Sequence, residues 1–130
     1  MAATMPVGEI GPGFNSELEG NEPTNRPIDL VHLSHYTHGN VSLEQEILQL
    51  FRVQSRIYLD RLRDADRQGD WCEAAHTIKG SARSVGAWKV AEYAEMLELS
   101  KSRDDDETVE ALAAAINEVN AFIKSLLANH

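Results

Sequence analysis

The chain has 130 residues, 42% of them hydrophobic, and a formal net charge of -9. That length suits one domain with a real core, and an acidic balance with pI near 4.9 excludes the basic face that a nucleic-acid binder needs. The lone Cys72 excludes an internal disulfide, no apolar run approaches the roughly 20 residues of a membrane span, and no basic-then-apolar leader opens the chain, so a cytoplasmic protein with no membrane partner is expected.

Residues 1–26 are punctuated by Pro6, Gly8, Gly11, Pro12, Gly13, Gly20 and Pro23 and carry no period, so a disordered tail is expected there, with the folded domain over 27–130. A short helix is predicted from Ile28 to Tyr36, ended by Gly39-Asn40. His32, His35 and His38 recur every third residue. Structural zinc sites want four Cys or His ligands, and no cysteine lies near, so these are read as surface histidines with no metal. Ser42, with Gln45 in a capping-box position, opens a long helix to about Arg67, its buried stripe being Leu43, Ile47, Leu50, Phe51, Tyr58 and Leu62. Gln68-Gly69 turns the chain, and Asp70 with Glu73 caps the next helix.

That helix carries the most informative residues. At about 100° per residue, Ala74, Ala75, Ile78, Ala82 and Val85 all fall within roughly 60° of Trp71, a narrow apolar stripe. His76 lies near 140°, beside Arg83 at about 120°, Lys79 at about 80° and Gly80 at about 180°. The imidazole therefore points to solvent, with Lys79 one turn on and a residue without a side chain above it. Gly86 is a natural left-handed C-cap. A further helix follows over 87–101, with Val90, Ala91, Ala94 and Leu97 inward; Ser102 to Asp106 breaks it. The last helix repeats Val109, Leu112, Ile116, Val119, Ile123 and Leu126 at spacings of three and four. No strand signal competes. The fold expected is all-α, an antiparallel four-helix bundle with a short additional N-terminal helix.

An exposed imidazole near neutral pH keeps one nitrogen unprotonated and is a competent nucleophile. A lysine three residues later can reach an anion attached to it. Gly80 costs roughly 1 kcal/mol of helix propensity relative to alanine, which suggests that something must come close there. Together they suggest a phosphoryl group carried on histidine.

His76-Thr-Ile-Lys79-Gly80-Ser81, followed by Val85-Gly86-Ala87, resembles the signature of histidine phosphotransfer (Hpt) domains of two-component phosphorelays. The resemblance implies that His76 accepts a phosphoryl group, through Nε2, from a receiver-domain aspartate or a hybrid sensor histidine kinase and passes it to a response-regulator receiver. It implies a phosphoryl carrier without independent turnover, with no cofactor of its own, the Mg²⁺ belonging to the receiver, and a monomer. Lys79 would then contact the phosphoryl oxygens, and Gly80 would leave room for them. Arg83 adds positive charge on the same face by the wheel alone. Hpt domains often carry Gln or Glu on the following helix, twenty-two residues after the histidine; here that position is Glu98. A carboxylate there would fix the ring's tautomer and raise its basicity. Val31, Leu33 and Tyr36 are candidates for receiver docking, flanked by Thr77. The alternative reading is a bundle that binds a receiver or kinase without transfer. A dimerising kinase phosphoacceptor domain would need an ATP-binding domain, for which 130 residues leave no room.

Overall fold

The computed structural model describes residues 26–100 and 105–128. Almost all of the expected tail, 1–26, and most of the expected break before the last helix lie outside the described residues. Five helices follow in order: α1 (Leu30–Tyr36), α2 (Val41–Asp64), α3 (Gln68–Val85), α4 (Trp88–Ser100) and α5 (Asp106–Ala128). Among the described residues there is no strand.

Helices α2 to α5 form a closed ring in which α3 packs on both α2 and α4, and α5 packs on α4 and α2. Side-chain pairs give the direction. Arg63 near the end of α2 meets Glu110 near the start of α5 at 3.2 Å. Trp71 Nε1, near the start of α3, donates to the Leu97 carbonyl near the end of α4 at 3.0 Å. The bundle is therefore antiparallel, and α1 lies across α3.

The expected stripes of α3, α4 and α5 are the ones buried, with Leu126 only partly so. Their inward residues (Trp71, Ile78, Val85, Val90, Leu97, Leu112, Ile116 and Ile123) are each at most 2% exposed and make one core. Helix α5 is long and apolar enough to cross a membrane by length and composition alone, against the expectation that no stretch is. Its apolar stripe is, however, the inner wall of the bundle.

Four local expectations are corrected. Helix α1 begins at Leu30, because Asp29 takes the N-cap and its side chain accepts from the His32 amide. Asn40, not Ser42, caps α2, its side chain accepting from the Leu43 amide; it lies two residues upstream and is as good a cap as serine. The buried seam of α2 is Leu48, Phe51, Ser55, Leu59 and Leu62, while Leu43 and Leu50 are exposed. Helix α2 is apolar on two sides, and a serine in the true seam hides it. The α2–α3 turn is made at 65–67 by an extended Ala65 and Arg67, so α2 stops at Asp64, short of Arg67, and Gln68 and Gly69 are already helical. Asp70 sits in the first turn of α3, where its carboxylate meets Arg67 Nε at 3.5 Å and complements the helix dipole.

Candidate functional site

Helix α3 is anchored at both ends. Trp71 ties its start to α4. Its end stops on Gly86, whose φ of +79° makes a left-handed cap, its amide donating to the Ala82 and Arg83 carbonyls. Between the anchors, the side opposite the Ala74–Ala75–Ile78 stripe faces outward, and His76 stands on it with 68% of its side chain exposed.

The ring is held from one side. Its Nδ1 lies 2.9 Å from Glu98 Oε2 on α4. A carboxylate only accepts, so Nδ1 carries the proton and donates it. In the neutral ring Nε2 then holds the lone pair, and no described residue bonds to it. Antiparallel packing carries Glu98 to this height: Cys72, one turn before His76, sets its thiol 3.8 Å from the Glu98 carbonyl.

Lys79 does not stand free in solvent as the helical wheel implies. Its side chain is only 14% exposed, and its ammonium meets the other oxygen of the same carboxylate, Glu98 Oε1, at 2.6 Å. The reason is the approach of α4, which covers the flank between the apolar stripe and His76. Glu98 thus joins His76 and Lys79 through its two oxygens. Lys79 is the larger cause of a carboxyl held below the usual glutamate range; burial opposes that, and His76 adds to it.

Arg83 is likewise engaged, 3.6 Å from Glu95 on α4, so the basic spot expected around His76 is neutralised by α4 carboxylates. Gly80 is exposed, and a Cβ built on it would meet nothing within 4 Å. Thr77 is half-buried beside it.

Of the docking candidates, Val31 and Tyr36 are exposed, but Leu33 is a core residue at 1% exposure. Leu50, expected in the core, lines with Tyr36, Ser81 and Ser84 a groove between α1, α2 and α3. The spacing of α2 alone could not separate that face from the buried one. The three histidines do not converge on a metal: among the described residues no cluster of His, Cys, Asp or Glu could hold one. His32 instead directs Nε2 to the Arg83 carbonyl at 2.9 Å and stands edge-on to Trp88.

Residues 46–122, more than half of the chain, match the family model of the Hpt domain. The chain belongs to the Hpt family. Among solved structures, this Hpt domain is similar to the crystal structure of the histidine phosphotransferase ShpA from Caulobacter crescentus, with 26% identity and a TM-score of 0.64 over 79% of this chain and 92% of that one. No curated protein matches. Membership bears out the resemblance carried by His76 to Ala87 and the helical-bundle fold, and it makes this Hpt domain a component of two-component phosphorelay signalling.

Proposed function

We propose that this Hpt domain is a phosphoryl carrier whose acceptor is His76 Nε2. The observation that carries the reading is the ring itself: exposed, with Nδ1 engaged by Glu98 and Nε2 open to solvent beside the bare backbone of Gly80. The donor is an aspartyl phosphate on a receiver domain or hybrid kinase. The Nε2 lone pair attacks phosphorus, the new N–P bond forms as the O–P bond breaks, and the electron pair leaves with the receiver's carboxylate. The ring becomes a phosphoimidazolium that keeps its proton on Nδ1, still donated to the Glu98 carboxylate. Return to a second receiver is the same step reversed. A positioned nucleophile suffices for a transfer governed by alignment and charge.

The domain needs no metal in this scheme; the Mg²⁺ that receivers bind is the partner's. Gly80 gives clearance to the phosphoryl group and the receiver loop. Glu98 sets the tautomer, and Lys79 takes part through Glu98. Tyr36 and Leu50 supply apolar surface beside Ser81 and Ser84 of α3 for docking, and exposed Val31 of α1 adds to it. We place the carrier in the cytoplasm as a monomer. The similarity to a histidine phosphotransferase supports this reading over an adaptor that binds without transfer.

The test is incubation with a labelled phospho-receiver. Wild type should acquire acid-labile, base-stable label, and His76→Gln none, with helix content unchanged. Equal labelling of the variant would overturn the assignment.

A further inference from the structure

Helix α2 turns a second apolar stripe away from the bundle. Leu43, Glu46, Leu50, Val53 and Ile57 lie alternately three and four residues apart, the heptad spacing of a helix seam, on the side opposite the buried Leu48, Phe51, Ser55, Leu59 and Leu62. The four apolar members are between 38% and 57% exposed. Nothing in the fold of one copy covers them.

The surface between these side chains is shaped to receive a helix. A shallow hollow on the outer face of α2 is lined by Ser42, Gln45, Glu46, Gln49, Leu50 and Val53. Glu46, Gln49, Leu50 and Val53 stand at i, i+3, i+4 and i+7, the four corners of a hole that a knob from a facing helix enters. Ser42, Gln45, Glu46 and Gln49 outline the next hole.

The same helix carries the knobs. Consider two copies related by a two-fold axis that crosses the stripe midway between Leu50 and Val53. Helical geometry then sets Leu50 against the second copy's Val53, with that Val53 over the first hole and the second copy's Ile57 over the next. Glu46 comes within about 1.5 Å, along the axis, of the level of the second copy's Arg56. Both are exposed, and among the described residues neither has an ion-pair partner. The two-fold makes this contact twice. Parallel pairing would set Glu46 on Glu46 and Arg56 on Arg56, so charge selects the antiparallel arrangement. Asp60 and Asp64 continue the stripe beyond Ile57 and are exposed. Sliding the copies by one heptad would bring Asp60 onto Leu50 and Asp64 onto Glu46, so charge selects the register too.

We propose that two copies of this Hpt domain pair reversibly and antiparallel through the outer stripe of α2, and that pairing covers Leu50 and so closes the groove offered to a receiver. The stripe from Leu43 to Ile57 is about 22 Å long on a helix about 10 Å wide. Such a face falls short of the about 800 Å² per partner buried in a stable interface, so pairing is weak and the monomer remains the form that transfers. Leu50 lines the groove with Tyr36, Ser81 and Ser84, so a receiver and a second copy compete for it. The masking rests on the carrier reading above; the pairing does not.

Sedimentation equilibrium on the unloaded protein tests the pairing. From micromolar to millimolar concentration, the average mass of wild type should rise above that of a monomer toward that of a dimer. Val53→Glu should stay monomeric with helix content unchanged. Glu46→Arg and Arg56→Glu should each weaken pairing. An equal mixture of those two variants should restore it, as should both substitutions in one chain, because each then pairs opposite charges across the two-fold. The masking is read from transfer: the rate per molecule from a phospho-receiver should fall at millimolar concentration in wild type and hold level in Val53→Glu, with the two equal at micromolar concentration.

Wild type that stays monomeric at millimolar concentration overturns the proposal. So does pairing that survives Val53→Glu, or charge variants that mixing does not rescue, since either places the contact on another face or in another orientation. A monomeric wild type whose transfer is slowed by Val53→Glu at micromolar concentration would give the stripe to the receiver instead. Pairing without any loss of transfer would overturn the masking. Absence of transfer in wild type would remove the carrier reading, and the mass measurements would still decide the pairing.

Discussion

Two glycines of α3 show opposite reasons for lacking a side chain. At Gly86 the reason lies inside the molecule: φ is +79°, and a Cβ would stand 2.9 Å from the Asp29 carbonyl oxygen, which cannot move because the Asp29 amide donates back to the Gly86 carbonyl. Gly86→Ala should cost about 1–3 kcal/mol in urea unfolding, from the strained backbone alone. At Gly80 no internal reason exists, since an added Cβ meets nothing within 4 Å. Gly80→Ala should therefore stabilise the helix by about 0.5–1 kcal/mol. It should also slow phosphoryl transfer, because the clearance serves a partner. Wild-type transfer rates in Gly80→Ala would mean that nothing approaches there. The outward placement of His76 and the open space at Gly80 were legible in the sequence because helical geometry fixes directions along one helix. The state of Lys79 was not, since whether a flanking side chain is wet depends on the neighbouring helix, and Glu98 reaches it only through tertiary packing.

The same boundary between local and tertiary information governs the elements. Helices α3, α4 and α5 each carry one apolar stripe, so their periodicity names their buried faces correctly. Helix α2 carries a second one, with Leu50, Val53 and Ile57 exposed, and there the pattern is ambiguous until α3 and α5 are in place. Helix α1 is the extreme case, with seven residues that cannot hold a helix alone. It is fastened by Asp29, whose backbone amide bonds Gly86 and whose two carboxylate oxygens accept from the His32 amide and from Trp88 Nε1 at 3.0 Å each. Burial opposes the charge on Asp29, but the bonds from Trp88 and His32 outweigh it and hold the carboxyl below its ordinary value of 3.8. A depressed folded value means that this contribution is whole above the unfolded value and is lost as pH falls through the folded one. Acidification below pH 3.8 should thus free α1 first: its amides should exchange faster while those of α3 and α4 stay protected. Asp29→Asn should speed α1 exchange at neutral pH and remove most of its acid dependence. Glu98 titrates in the same direction but far from α1, so the variant separates the two.

Across the whole bundle, the seam between α2 and α5 is less extensive than those α3 makes with its neighbours. Its middle is also polar. Ser55, 2% exposed, accepts from Asn120 Nδ2 at 3.3 Å, and the enclosed Asn120 Oδ1 has no partner among the described residues. Such a pair adds little net stability, because both groups give up water and one acceptor stays unpaired. Its use is alignment, since sliding α2 along α5 would strand both groups against Leu48, Leu59, Ile116 and Val119. Removing one partner and removing both should then differ in sign. Ser55→Ala alone strands the amide and should cost about 1–3 kcal/mol in urea unfolding, whereas Ser55→Ala with Asn120→Leu should recover that loss or exceed wild type. Because His76, Lys79 and Glu98 all ride on α3 and α4, the stabilised double variant should keep wild-type transfer rates. If the double variant is as unstable as the single one, the pair contributes stability outright and the alignment argument fails. If it is stable but transfers slowly, then the register of α2 against α5 reaches the site through α3, and the four helices act as one unit rather than as a reactive pair with a supporting pair behind it.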